Sequence, residues 1–124
     1  MSVLVAVPDS VEGVTALAAA GDEAKLLDTD LIVVNTGLRP LDPATIPTVA
    51  PVTVIERHGS DQRDPVDVVL AAVEDHHVHR LVVGVRLRSP VGKALLGSLS
   101  QRLLLASPVP VLAVKATESA DPEA

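Results

Sequence analysis

The run Val3-Leu4-Val5-Ala6-Val7 is apolar at every position rather than at every second one. A strand of that kind leaves no face for water, so it belongs in a sheet covered on both sides, as parallel sheets are when their crossovers lay helices on each face. Leu31-Ile32-Val33-Val34 is a second continuous run, ended by the turn formers Asn35-Thr36-Gly37. Val52-Thr53-Val54-Ile55 and Leu81-Val82-Val83 read as a third and a fourth strand, and Val109 to Val114 as a fifth, introduced by Pro108 and Pro110 as suits an edge. The chain has 124 residues, a length ordinary for one domain. That domain is expected to span residues 1–116, and the polar, acidic stretch 117–124 to be a disordered tail.

Helical patterns lie between the runs. Val14, Leu17, Ala18 and Gly21 recur at i, i+3, i+4 and i+7 after a cap at Asp9 or Ser10, although Gly21 weakens the middle of that helix. Asp64-Pro65-Val66-Asp67 reads as a helix start, with Asp64 as cap and Pro65 at the first helical position, and Val66, Val69, Leu70 and Val73 form its buried stripe. The segment 36–51 carries Pro40, Pro43, Pro47 and Pro51, so the second crossover is a proline-rich loop in place of a helix. Strands alternating with helices predict an open, mainly parallel α/β sheet in the order 3-2-1-4-5, with helices on both faces. Ligands of such sheets sit beyond the carboxyl ends of the strands where chain order reverses, here between the loops after Val7 and after Val83.

Composition removes several function classes. A net charge of −6, from 16 acidic and 10 basic residues, opposes sequence-independent attraction to nucleic acid. Phe, Tyr and Trp are absent, so no stacking platform for single strands exists, and an adenine ring would have to lie on aliphatic side chains. The absence of cysteine excludes disulfides and thiolate metal sites and fits a reducing cytoplasm. No run approaches the ~20 apolar residues of a membrane span, and the short N-terminal run lacks the flanks of a leader, so neither export nor membrane insertion is expected.

The strongest chemical signal follows the fourth strand. Gly84 closes that strand where a missing side chain lets a ligand approach the backbone, and Gly97-Ser98 follows thirteen residues later. Ser98, with Gln101 three residues on, has the form of a helix cap whose first turn, through Leu99, offers free N–H groups to an anion. Arg86, Arg88 and Lys93 lie between the glycines and supply cations suited to phosphate. The same residues also fit a simple turn, a plain capping box and, for Arg86 and Arg88, a solvated loop or a positive balance to nearby acids. Gly92-Lys93 is not part of a P-loop, because Leu87 and Ala94 stand where the motif needs glycine and a hydroxyl. Pro8-Asp9-Ser10-Val11-Glu12-Gly13 likewise lacks the dinucleotide-binding glycines.

The run from Gly84 to Ser98, the leucine-rich helix after it and Pro108-Val109-Pro110-Val111-Leu112-Ala113-Val114-Lys115 resemble the universal stress protein family, and the order of elements matches over nearly the whole chain. The resemblance implies an adenine nucleotide alpha-hydrolase-like fold and a phosphate motif G-x-x-G-(nine residues)-G-[ST]. Gly84 and the pair Gly97-Ser98 occupy that motif, while Leu87 replaces its second glycine with the nine-residue spacing intact. The resemblance further implies nucleoside contacts at Val7, Asp9 and Val34, with Pro8 standing where the family places an aspartate. It implies ATP, with or without Mg2+, as ligand, and a homodimer paired through the strand Val109 to Val114.

Two other clusters are discounted. Glu74-Asp75-His76-His77-Val78-His79 has metal-binding residue types, but it falls at a helix C-terminus at the far end of the sheet, where histidines suit the dipole. His58-Gly59-Ser60-Asp61 is too compact for a hydrolytic triad and lacks a nucleophile elbow. No residue stands out as a catalytic base, so slow ATP hydrolysis is the most that is expected. The reading is a cytoplasmic nucleotide-binding regulator or adaptor of the stress response. Its alternative, motivated by Leu87 and Pro8, is a dimeric adaptor of the same fold that has lost the nucleotide.

Overall fold

In the computed structural model, which describes residues 1–46, 48–56, 64–88, 93–95 and 97–117, the five expected runs all form strands of one sheet. For residues 87, 88, 93–95 and 117 the description covers the backbone alone. β1 (Ser2–Val7) pairs in parallel with β2 (Asp30–Asn35) on one edge and with β4 (Val78–Arg88) on the other. β3 (Val52–Glu56) adds parallel to β2, and β6 (Val111–Thr117) adds parallel to β4. With β6 as the fifth long strand, this is the predicted order 3-2-1-4-5. A short β5 (Lys93–Leu95), unannounced by the sequence, runs antiparallel to the end of β4.

β1 is buried at every residue and divides the core. Val3, Val5 and Val7 face the layer of α1 (Val11–Leu26), whereas Leu4 and Ala6 face α2 (Pro65–Asp75) and α3 (Ser98–Ala106). The connection from β2 to β3 contains no α-helix among its described residues, only a 3-10 turn at Pro43–Thr45, and Ile46 beside that turn fills the α1 layer. The proline-rich segment thus covers its share of the sheet with Ile46, flanked by the half-buried Leu41 and Ala50.

α2 begins as predicted, with the Asp64 carboxylate accepting the Val66 N–H at 2.9 Å and Pro65 next to it. It buries Val66, Val69 and Val73, with Val68 and Ala72 beside them. α1 opens at one of its two expected caps but differs in its buried face. Its cap is Ser10, whose hydroxyl accepts the Gly13 N–H, and its buried face is Gly13, Ala16, Ala20, Gly21 and Ala24. Val14 is 68% exposed and Ala18 is also exposed, so the predicted stripe is corrected by about one residue's rotation. The reason is proximity: helix and sheet approach so closely that only small side chains fit between them.

Two glycines measure that approach. A Cβ on Gly13 would lie 2.2 Å from the Pro8 carbonyl oxygen, and a Cβ on Gly84 would lie 2.3 Å from that of Glu12. Gly84 therefore does not end the fourth strand, a second correction: it pairs with Val114 in mid-strand, and β4 continues to Arg88. The Ser100 hydroxyl of α3 donates to the Gly84 carbonyl at 2.9 Å, so the strand is held there by both helical layers. β6 extends to Thr117, one residue past the expected end of the domain, while residues 118–124, the expected tail, lie outside the described residues.

The histidine-rich run forms the turn from α2 into β4, with His76 as the helix cap and His77 at φ 51°. Among the described residues, no group of three or more His, Cys, Asp or Glu side chains could hold a metal ion. No described helix is long and apolar enough to cross a membrane. The His58-Gly59-Ser60-Asp61 stretch lies outside the described residues.

Urea denaturation separates packing glycines from free ones. Gly13→Ala and Gly84→Ala should each cost about 1–3 kcal/mol through overpacking. Gly97→Ala, where nothing lies within 4 Å of an added Cβ, should cost less, about 0.5–1 kcal/mol from the poorer cap that alanine gives α3. At His77, whose backbone is left-handed, His77→Gly should stabilise by about 0.4–1 kcal/mol and His77→Val should destabilise.

Candidate functional site

At the carboxyl ends of β1 and β2, a cleft of about 450 Å3 opens between the first turns of α1 and the segment after β2. That volume falls within the ~300–1,000 Å3 typical of small-molecule sites. Val7, Pro8 and Asp9 line it, as the sequence suggested, together with Val11, Val14, Leu17 and Leu41 as an aliphatic wall and Asn35 and Arg39 as polar groups. Val14 and Leu17, two residues of the stripe expected to be buried, are thus part of the cleft. A chain without aromatic residues offers a flat ring this kind of surface: branched aliphatic side chains left exposed on a helix.

The wall opposite α1 is held by a polar knot. Asn35 is 1% exposed, and its Nδ2 donates to the Arg39 carbonyl at 2.6 Å and to Glu56 Oε1 at 2.8 Å, while its Oδ1 accepts the Gly37 N–H at 3.0 Å. Glu56, at the end of β3, accepts the Leu41 N–H on its other oxygen at 2.9 Å. Thr36 binds the Val7 carbonyl through both its N–H and its hydroxyl. Asp9 does not cap α1; its Oδ2 accepts the Leu38 N–H at 2.9 Å and ties the loop after β1 to the loop after β2. These bonds fix the backbone of residues 35–41 before any ligand arrives.

The remaining predicted residues lie elsewhere. Val34 is fully enclosed and faces the α2 layer, so its side chain is not part of the cleft; Asn35, one residue on, takes that position. Gly84, Arg86, Gly97, Ser98 and Leu99 are not among the lining residues. Gly97, not Ser98, is the cap of α3, and it makes no side-chain capping bond, which corrects the predicted Ser98–Gln101 box. Gly97 and Ser98 are exposed, and Leu99 packs against the α2 layer. Arg86 donates to Glu12 of α1 at 3.0 Å, the balancing of a nearby acid that was the alternative to phosphate contact. The side chains of Arg88 and Lys93 lie outside the description, though their backbones pair across β4 and β5.

Burial pushes the Glu12 carboxyl up, but its backbone hydrogen bond, Arg86 and the Ser10 hydroxyl outweigh that and hold it below the usual 4.5. Asp30, at the other end of the sheet, is likewise held below 3.8, its slight burial being outweighed by the Ser2 hydroxyl, its backbone bond and Thr29. A hollow of about 490 Å3 lies there, lined by Met1, Asp28, Thr29, Asp30 and Pro51; its two carboxylates make it a poor host for an anion.

Asn35, Arg39, Leu41 and Glu56 were missed from sequence. The available signal was the two-residue period of β2, which puts Asn35 on the face of Leu31 and Val33. The partners of Asn35 follow no short spacing.

Comparison with known proteins gives concordant results. The Universal stress protein family profile matches residues 48–115. A protein of Mycolicibacterium smegmatis described as a universal stress protein is 43% identical over 107 residues, covering 76% of this chain and 82% of its own. Among solved structures, a universal stress protein of Archaeoglobus fulgidus superposes with a TM-score of 0.66 at 23% identity, over 93% of this chain and 98% of its own. A universal stress protein in complex with cAMP gives 0.65 at 20% identity, over 93% and 96%. An Archaeoglobus fulgidus universal stress protein in complex with dAMP gives 0.62 at 19%, over 93% and 98%. At those identities the structural matches establish the fold.

Two measurements check the site's electrostatics. Because Glu12 and Asp30 are depressed in the folded state, the unfolded chain binds protons more readily, so their stabilisation is complete above about pH 5 and is lost as pH falls below 4.5 and then 3.8. A pH series of urea melts should show that fall, and Glu12→Gln should flatten its upper part. Asn35→Ala, which strands the bonding groups of Gly37, Arg39 and Glu56, should cost about 1–3 kcal/mol and speed amide exchange between residues 36 and 41.

Proposed function

The chain belongs to the universal stress protein family, and from that premise we propose that it binds an adenine nucleotide in the cleft between α1 and the segment after β2. The observation that carries this reading is the cleft itself: an aliphatic wall of Val11, Val14, Leu17 and Leu41 suited to a base, facing the polar groups of Asp9, Asn35 and Arg39. Two relatives of the same fold are described with cAMP and with dAMP bound, which supports the adenine class. The ligand class extends to ATP, with or without Mg2+. No turnover beyond slow hydrolysis is proposed.

The bound nucleotide favours one conformation of the protein and so alters its pairing or its recognition by a partner, because a ligand shifts an equilibrium by its differential affinity for the two states. In this reading the protein is a cytoplasmic regulator or adaptor of the stress response and a homodimer. The pairing surface is the outer edge of β6, which no other described strand covers and where Val111, Leu112 and Val114 are half-buried.

A second reading, an adaptor that binds no nucleotide, is favoured by the Arg86–Glu12 pair and by the packing role of Gly84, both of which draw motif residues away from a phosphate. Calorimetric titration of AMP distinguishes the two. Saturable binding is expected, and Val14→Glu, placed where the side chain is already exposed, should weaken it roughly tenfold or more while leaving the melting temperature within a few degrees. No heat of binding at millimolar AMP would favour the adaptor.

A further inference from the structure

The geometry points to a cleft that takes an adenine nucleoside monophosphate in preference to ATP, an inference that rests on the nucleotide reading above. It begins with the two edges of β4. Leu81 and Val82 pair with Leu4 and Val5 of β1 on one edge and with Val111 and Leu112 of β6 on the other. Further along, Arg86 and Leu87 pair with Ala116 and Thr117 of β6, and also with Leu95 and Ala94 of β5. β6 keeps one edge throughout, so β5 occupies the same edge as β1.

β5 therefore sits beyond the carboxyl end of β1. Val5 lies level with Val82, which places Val7 level with Gly84 and β5 about 7 Å further on, at ~3.3 Å per residue. That is the crevice at the reversal of strand order, where an open α/β sheet ordinarily receives its ligand's phosphates. Here it holds a return strand in register with β4 from Arg86 to Arg88. Backbone groups that would have to turn toward a phosphate chain are committed to a ladder, and Leu87, at the second glycine position of the motif, is paired on both edges.

The charges agree with the backbone. Arg39 is the cation lining the cleft among the described residues. Asp9 lines the same cleft, and Arg86 is directed to Glu12. The Arg39 guanidinium is suited to one phosphate group near the base wall, and a longer phosphate chain must displace β5 to extend past Val7.

The test is parallel calorimetric titration of AMP and of ATP with Mg2+ into the full chain, repeated with Leu87→Gly, which weakens strand pairing at its most constrained position. AMP is expected to bind roughly tenfold or more tightly than ATP to the unaltered protein, and Leu87→Gly is expected to narrow that ratio at unchanged AMP affinity. Circular dichroism verifies that the variant is folded, and the ratio in the unaltered protein decides the matter if it is not. ATP binding as tightly as AMP would overturn the selectivity and leave the nucleotide cleft intact. Failure of both ligands to bind at millimolar concentration would overturn the cleft assignment and the selectivity together.

Discussion

The contact on which the rest of the molecule depends is the seating of the first turn of α1 on the sheet. Backbone meets backbone at Gly13 on Pro8 and at Gly84 on Glu12, with no room for a methyl group at either point. Because the helix lies that low, only Ala16, Ala20 and Ala24 fit beneath it, and the larger Val14 and Leu17 are turned outward and sideways. The cleft wall is a by-product of this packing. A chain that has no aromatic residues gains density by closing the gap between layers, and dispersion between close-packed aliphatic groups supplies what large rings would otherwise contribute.

The same contact reassigns the motif residues. A glycine at position 84 serves equally to admit a phosphate or to admit a helix, and here it admits α1 while its carbonyl is held by Ser100. Arg86 follows on the same strand and meets the acid that the helix brings to it, Glu12. Family membership is secure, and two of the residues that signalled it in the sequence, Gly84 and Arg86, take part in packing and ion pairing. The cleft is built from residues outside that motif, by the loops after β1 and β2 and the knot of Asn35 with Glu56. Such a knot fixes a loop because every buried polar group in it is satisfied, and each member is costly to remove.

Much of the fold was legible because it rests on local signals. Continuous apolar runs mark strands covered on both faces, Asp64-Pro65 opens a helix by its own backbone chemistry, and the prolines between residues 36 and 51 forbid an α-helix whatever surrounds them. Less of the site was legible. Val7, Pro8 and Asp9, singled out by the rule for strand ends, line the cleft, whereas the Val34 side chain faces the α2 layer and Asn35, read only as a turn former, lines the cleft in its stead. Its partners Arg39 and Glu56 are 4 and 21 residues away, and no periodicity links them.

The sequence by itself determined the five long strands and the loop in place of a helix, because each follows from residue types acting within a few positions of one another, and the succession of elements along the whole chain carried the parallel order and the family. Tertiary structure alone decided which face of α1 is buried, whether Gly84 ends a strand, which oxygen accepts from Leu38, and that β5 returns along β4 beyond β1. Those outcomes depend on how closely two layers can approach and on which strand edge remains open, quantities that exist only once distant segments have met.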